Sequence, residues 1–383
     1  MPGSDVAVVG AGPAGLLAAR ELARRGVSVL VFEEDRTIGR PERCAGLYSI
    51  SGLKSLGLPL DGPYVQNTVR GATFISPSGH SFVVEAADDV AVVCNRERFD
   101  QYIAETVLDV GGCLRLGERV RSIRKLDGGF GVEAGDGLYS AAYLIVAEGR
   151  RAHIARQVHP RYGLGRWTPI IQYQVAGHGM NPSHVYLFFT HYLPDFFAYL
   201  VPVDERIGKV GVAAMRDTWG AGRKFLHQYF PKSRVVGVSS SSIYVGPPLD
   251  EPMWDGAFLV GDVAGQVKST TGGGVIYGGL CAIAAARHIA GEGEFGRLAS
   301  PLLTELRRTY LLRRLVSRLD ARTLDILFHA VSESGLDARI GEVGDMERHL
   351  PTIARSLLHM RGLSFITHLL KTYLVDGAAR LKS

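Results

Sequence analysis

The run Asp5-Val6-Ala7-Val8-Val9-Gly10-Ala11-Gly12-Pro13-Ala14-Gly15 opens as a buried parallel strand and breaks into the glycine spacing GxGxxG. Leu16–Arg25 then repeats apolar residues at helical spacing until Gly26 stops the helix. Val27–Phe32 is the next apolar strand, and Glu33 stands at its carboxyl end. Each residue type has a reason. Gly10 makes the tight turn, Gly12 lets the backbone approach a pyrophosphate, and Gly15 lets the helix pack on the strand. The helix start supplies free N–H groups and a positive dipole for phosphates. Strand, turn, helix, strand and acid in this order predict a doubly wound α/β nucleotide-binding unit rather than a glycine turn chosen for packing.

Glu33 can accept two hydrogen bonds from a ribose diol. Glu34 is one residue away, and register alone favours Glu33. An acid here argues for an unphosphorylated ribose, hence FAD or NAD rather than NADP, and leaves those two open.

The rest of the composition sets wider bounds. The chain has 383 residues, enough for two or three domains at about 150 residues each. Apolar residues make up 46% and charged residues 21%, which excludes a disordered or fibrous chain. The 47 glycines exceed the ordinary share of about 7%, so the backbone turns sharply or approaches something closely in many places. Net charge is +5, mildly basic and evenly mixed over most of the chain, so no nucleic acid is expected as a partner. Cys44, Cys94, Cys113 and Cys281 form no CxxC pair, which argues against a disulfide framework or a metal site and fits a reducing cytoplasm. The N-terminus has no basic region before its first strand, so no secretory leader is expected. No apolar run approaches ~18 residues, so no membrane span is expected.

Four further segments bear on the cofactor. Gly39-Arg40-Pro41-Glu42-Arg43-Cys44-Ala45-Gly46 follows the second strand. Cys94-Asn95-Arg96-Glu97-Arg98-Phe99-Asp100 opens a helix ending near Gly111. Leu144-Ile145-Val146-Ala147-Glu148-Gly149 is a buried strand entering a turn. Phe258-Leu259-Val260-Gly261-Asp262-Val263-Ala264-Gly265 is another, continued by Gln266-Val267-Lys268-Ser269-Thr270-Thr271-Gly272-Gly273-Gly274-Val275. Asp262 at a strand end can hold a flavin ribityl hydroxyl. The helix Val275–His288 presents its positive end to the pyrimidine edge of a flavin, where reduced flavin is negative.

The chain here resembles the p-hydroxybenzoate-hydroxylase-type FAD enzymes and, within them, the geranylgeranyl reductase family. The first and last segments are similar to that family's PxxC[GA]G and GDAAGQVxxTTGGG signatures, and the likeness covers roughly residues 1–300. It implies FAD as cofactor. Beside Gly10, Gly12 and Gly15, it implies Ala14, Glu33, Cys44, Ala45, Arg96, Val120, Asp262, Gly274 and Val275 at the cofactor, with Val120 acting through its backbone. Arg96 suits a pyrophosphate needing a cation, and Arg98 is the near competitor. Glu148-Gly149 departs from the family's usual Asp-Gly, and Ala152 stands where a serine is common. The motif also lays Cys44 along the flavin. Arg43 precedes it, and a neighbouring guanidinium lowers a thiol pKa, which makes Cys44 the candidate catalytic residue as proton donor or orienting group. The other three cysteines read as small buried packing residues.

Residues 64–93 and 167–246 are rich in strand formers with period-two alternation, as in Ile170–Val175 and Val185–Phe189. They predict an antiparallel sheet over the reactive face of the flavin. Phe196-Phe197-Ala198-Tyr199-Leu200-Val201-Pro202 lies where the family carries YxWxFP. Phe197 and Tyr199 replace its Tyr and Trp and are candidate substrate contacts. Such alternating aromatics are also ordinary sheet core.

Past Gly296 the composition shifts. Leu302–Leu319 reads as an amphipathic basic helix, with six Arg against Glu305 and Asp320 in residues 301–322, and a second apolar helix is expected from about Ile353 to Val375. They predict a helical cap on the FAD domain whose basic face is solvated or touches anionic lipid.

The expected fold is therefore α/β (α+β overall): a Rossmann-type FAD-binding domain (1–63, 94–166 and 247–296), an inserted antiparallel-sheet substrate domain (64–93 and 167–246) and a C-terminal helical domain (297–383). No second nucleotide turn is visible, so electrons are expected from a transient external donor, reduced ferredoxin or a nicotinamide nucleotide. The resemblance implies a reductase that hydrogenates C=C bonds of geranylgeranyl chains, on isoprenoid ether lipids or a related prenyl compound, by hydride from flavin N5 and a proton. The expected place is the cytoplasm, with peripheral contact on the inner membrane face. A flavin monooxygenase of the same fold and a non-redox FAD-dependent isoprenoid cyclase or isomerase are the alternatives.

Overall fold

Val6 and Val8 are buried among helices on one side of the first strand, Gly3–Val9, and Ala7 and Val9 are buried on the other. A strand apolar on both faces belongs inside a covered parallel sheet. The computed structural model, which describes residues 3–194, 196–360 and 362–369, places it there. Strands run in the order Met253–Trp254, Ala257–Leu259, Gly137–Val146, Gly3–Val9, Val29–Glu33 and Cys113–Leu116. All neighbours from Ala257–Leu259 onward are parallel. Val9 pairs with both Phe32 and Val146, so the turns at Gly10, Glu33 and Ala147 leave the sheet at one edge. Strands Val120–Leu126 and Gly129–Ala134 extend Gly137–Val146 as an antiparallel meander. Helices Pro13–Ala23, Arg96–Asp109 and Val275–Ile289 cover one face, and the expected helix starts and strands lie within a few residues of these bounds.

A second sheet of seven strands runs Arg234–Tyr244, Trp167–Ala176, Ile207–Ala213, Ala198–Pro202, His184–Phe188, Gly71–Ile75 and Ser81–Glu85. Its outer face packs on the helix Thr218–Tyr229 through Val210, Val212 and Phe225. Its inner face is turned to the first domain. Residues 64–93, expected wholly in this sheet, are divided. Val65–Val69 and Ala91–Cys94 form a small sheet with Leu47–Ser49, and the Cys94 N–H donates to the Gly46 carbonyl and the Asn95 N–H to the Tyr64 carbonyl at its end.

The C-terminal region differs most from expectation. The basic helix runs Phe295–Val316 rather than 302–319. It stops before Asp320 because that carboxylate accepts the Thr323 N–H and caps a new helix, Ala321–Ser334. A further helix, Leu336–Val343, follows Gly335 in the left-handed conformation. Both pack on the strand Ser81–Glu85, so the cap covers the second sheet as well as the FAD domain. The helix expected over 353–375 begins at His349, breaks after Leu357 and is helical again over 362–369. The break is at 358–359, and the Gly362 and Leu363 N–H groups donate to the His359 carbonyl as helix resumes. Residues 361 and 370–375 of that expectation lie outside the described residues. Cys94 and Cys281 are buried as expected, but Cys113 is exposed at the start of a sheet-edge strand. Among the described residues no helix is long and apolar enough to cross a membrane.

Candidate active site

The first glycine turn is built by exclusion. Gly10 has φ +101°, and a Cβ on it would stand 2.5 Å from the Ala147 carbonyl oxygen. Its N–H donates to Phe32 at 2.8 Å. A Cβ on Gly15 would collide with the Gly10 carbonyl, so the helix Pro13–Ala23 sits directly on the turn. Gly12 differs: φ is −75° and a Cβ there would meet nothing within 4 Å. Neither strain nor crowding from this chain calls for glycine at that position. The empty space lies on the wall of a large cavity, and no side chain caps the helix start beside it.

Glu33 is on the same wall. Its Oε2 accepts the Ala11 N–H at 2.7 Å and Oε1 the Asp35 N–H at 2.9 Å. Burial raises its pKa, and these two N–H groups oppose the rise. Glu34 instead forms an ion pair with Arg151 and does not line the cavity. Geometry thus separates the two acids that register alone had ranked.

The second turn packs against the first. Gly261 has φ +77°, with Ala14 3.1 Å from the place of its Cβ, and a Cβ on Gly278 would stand 2.8 Å from Gly261 Cα. Small residues on both helices bring the two turns together. Gln266, fully buried, accepts the Gly261 N–H at 2.7 Å and holds the turn. Asp262 lines the cavity. Burial raises its pKa, and Arg96 opposes that. A Cβ on Gly274 would lie 2.7 Å from Asp262 Oδ1, and the helix Val275–Ile289 begins there with no side-chain cap.

Arg96 meets Asp100 through two hydrogen bonds, 3.0 and 2.9 Å. Burial alone would lower its pKa, but Asp100 holds it well above the ordinary arginine value. Arg96 lines the cavity, whereas Arg98 is exposed and outside it. Val275 and Ala45 are on the wall. Gly10, Ala14 and Gly15 shape the turns from behind, and Val120 is buried in the sheet core off the wall.

Cys44 is half-buried on the wall. Its Sγ accepts the Gly46 N–H at 3.4 Å and lies 3.9 Å from the Tyr48 hydroxyl. Its carbonyl accepts from Gln172 Nε2 at 3.4 Å, and Gln172 Oε1 accepts from the Tyr199 hydroxyl at 3.1 Å. Burial pushes the Tyr199 phenol far above its usual pKa, so it carries its proton. A Cβ on Gly211 would run into the Tyr199 ring, which therefore lies flat over the neighbouring strand. Phe197 stacks on Phe196 at 4.4 Å, and Arg313 lies over Phe196 at 4.6 Å. With Phe74, Val185, Leu187, Phe189 and Val201 these residues form an apolar wall on the inner face of the second sheet.

Sequence reading missed the loop 345–349. Lys268 donates to the Met346 carbonyl at 2.7 Å and pairs with Glu347 at 2.9 Å. Ser49 donates to Glu347 Oε1 at 2.7 Å. His349 Nδ1 lies 2.8 Å from the Thr270 hydroxyl, and its Nε2 lies 3.0 Å from the Met346 carbonyl. Burial, then Lys268, lowers its pKa to about 4. Gln172 was also missed, though a polar residue at inward register between Ile170 and Gln174 is a visible signal. Glu148, in place of the family's Asp, accepts the N–H groups of His153, Ile154 and Ala155 at 2.8, 3.1 and 2.7 Å.

All these walls bound one cavity of about 1600 Å³, larger than the roughly 300–1,000 Å³ of an ordinary single-ligand site. FAD fits the residues present. The space over Gly12, the uncapped helix start and the Glu33 carboxylate suit an adenosine diphosphate. Half-buried Asp262 and the helix start after Gly274 suit the ribityl and flavin end, which leaves the apolar wall for a second molecule.

The FAD binding domain family matches residues 3–205. A digeranylgeranylglycerophospholipid reductase of Methanopyrus kandleri is 30% identical over 305 residues, 75% of this chain and 79% of that protein. One of Methanosphaera stadtmanae is 27% identical over 329 residues, 77% and 80% of the two chains. The crystal structure of a geranylgeranyl bacteriochlorophyll reductase-like protein from Thermoplasma acidophilum superposes with a TM-score of 0.82 at 22% identity, over 93% of this chain and 97% of that one. FAD is the cofactor, and the chain belongs to the digeranylgeranylglycerophospholipid reductase family of FAD-dependent oxidoreductases.

Proposed function

We propose that this protein hydrogenates C=C double bonds of geranylgeranyl chains carried on an isoprenoid ether lipid. The observation that carries the reading is the continuity of one cavity from the two glycine turns to the apolar face of the second sheet. An isoprenoid chain offers no polar handle along its length, so an apolar wall is what can bind it. The names of the relatives point the same way.

Reduced FAD, when bound, supplies hydride to one alkene carbon. The chain's own residues do the rest. Glu33, Arg96 and Asp262 hold the cofactor, and Phe197 and Tyr199 seat the prenyl chain. The sheet face excludes water, so that cationic character at a trisubstituted alkene is not quenched. The Cys44 Sγ–H is the proposed proton source for the second carbon. Tyr199 and Gln172 fix the backbone that carries it. Electrons reach the cofactor from a transient donor, reduced ferredoxin or a nicotinamide nucleotide. The cap lets the protein lie on an anionic membrane surface to collect its substrate.

Incubation with dithionite and a geranylgeranyl lipid, followed by mass spectrometry, tests the reading. A gain of two hydrogens per double bond is expected. An added oxygen would indicate a monooxygenase, and a rearranged product of unchanged mass an isomerase; either overturns the proposal.

A further inference from the structure

Lys209 is 4% exposed, on a strand, Ile207–Ala213, that is otherwise apolar. Alternation puts it on the same face as Gly211 and Ala213, the face turned to the cavity wall. Its Nζ donates to Glu42 Oε1 at 2.6 Å and to the Cys94 carbonyl at 3.4 Å. The same Glu42 oxygen accepts the Arg96 N–H at 2.9 Å. One carboxylate thus joins the second sheet, the start of the helix Arg96–Asp109 and the loop that carries Cys44 two residues later. On the far side of Glu42, Cys44 is tied to the same sheet by the Gln172 bond to its carbonyl.

We infer that Lys209 and Glu42 are positioning residues that set the spacing between the Cys44 loop and the substrate-facing sheet. The inference rests on the reading of Cys44 as a wall residue of the reaction site. A buried lysine is expensive to desolvate, and an apolar residue of similar volume would pack there at least as well. What the ion pair adds is a directional link of set length between two elements that share no backbone ladder. A thiol that must meet one alkene carbon needs such a link, since a misplacement of about 1 Å can cost ~100-fold in rate.

The test compares the FAD-loaded protein with Lys209→Met, Glu42→Gln and the double variant. Melting temperature, the rate of Cys44 alkylation by iodoacetamide, the flavin absorption spectrum, kcat and KM are measured for each. Glu42→Gln leaves the buried Lys209 charge unpaired and Lys209→Met leaves the half-buried Glu42 carboxylate without its cation, so each should melt lower, Glu42→Gln most, while the double should recover most of the loss. Positioning predicts that the double nonetheless alkylates Cys44 faster than the parent, with kcat about 100-fold down and KM within about threefold. If alkylation and kcat return to parent values together with the melting temperature, the pair is only structural and the inference fails. Should the single variants not fold, Glu42→Asp keeps the charge and shortens the reach, and an unchanged alkylation rate there would be equally fatal. Alkylation and the flavin spectrum need no substrate. A wrong lipid assignment would therefore appear as missing product in the parent protein, with the alkylation differences intact.

Discussion

Gly10 and Gly12 are glycines for different physical reasons, and substitution should separate them. Gly10→Ala forces a side chain into φ +101° and against the Ala147 carbonyl, so the fold itself should lose about 1–3 kcal/mol. Gly12→Ala meets nothing in the protein. With FAD lying over Gly12 as proposed, the apoprotein should melt as the parent does and the cofactor should be lost on gel filtration. A Gly12→Ala protein that stays fully yellow would contradict the cradle. Asp262→Ala should weaken FAD by about 1.5–3 kcal/mol, the range for a hydrogen bond to a charged group. Flavin release during dialysis reads this out, and retention equal to the parent would remove the assigned contact.

Among elements, the loop 345–349 has a stability whose pH dependence can be signed. His349 Nε2 faces the Met346 carbonyl, which only accepts, so Nε2 carries the proton and Nδ1 accepts from Thr270. A second proton would make Nδ1 the donor to the Thr270 hydroxyl and place a cation beside Lys268. The folded pKa of about 4 lies below the ordinary 6.5. Between those values the unfolded loop binds a proton that the folded loop refuses. Its stabilisation is complete above about pH 6.5 and is lost as pH falls toward 4. Amide exchange of residues 345–357 should therefore accelerate over that window and do so less in His349→Gln. An identical pH profile in that variant would place the acid sensitivity elsewhere. The same elements show why helix bounds in the cap were misread. Sequence reading closes the basic helix at Leu319 and assigns no helix to the stretch that Asp320 caps and Gly335 ends.

At the scale of the molecule, the cap combines apolar and basic exposure. Leu311 and Leu315 are 54% and 60% exposed beside the exposed Arg314 and Arg318. Leu358 and Met360 are 88% and 80% exposed, with Arg355 close in sequence. Along the basic helix Leu303, Leu306 and Thr309 are buried and Leu312 is half-buried, while Leu311 and Leu315 face outward with the arginines. That combination suits the surface of an anionic bilayer. Sedimentation with liposomes should rise with anionic lipid and fall with salt. Binding indifferent to both would confine the cap to covering the cavity.

Two glycine turns, the acid after the second strand, and Asp262 before the glycine-rich helix start were all legible in the amino-acid order. Each is a local device in which backbone conformation and cofactor chemistry act within about 30 residues, the span of a strand–turn–helix unit. Register already favoured Glu33 over Glu34, and the family resemblance Arg96 over Arg98; the fold adds that only Glu33 and Arg96 of these four face the cavity. The clasp between Lys209 and Glu42 spans 167 positions, and that between Lys268 and the Met346 carbonyl spans 78. No periodicity encodes such pairs. They exist because burial leaves a charge nowhere to go except to its partner, and only the packing of sheet, loop and cap decides which partner is within reach.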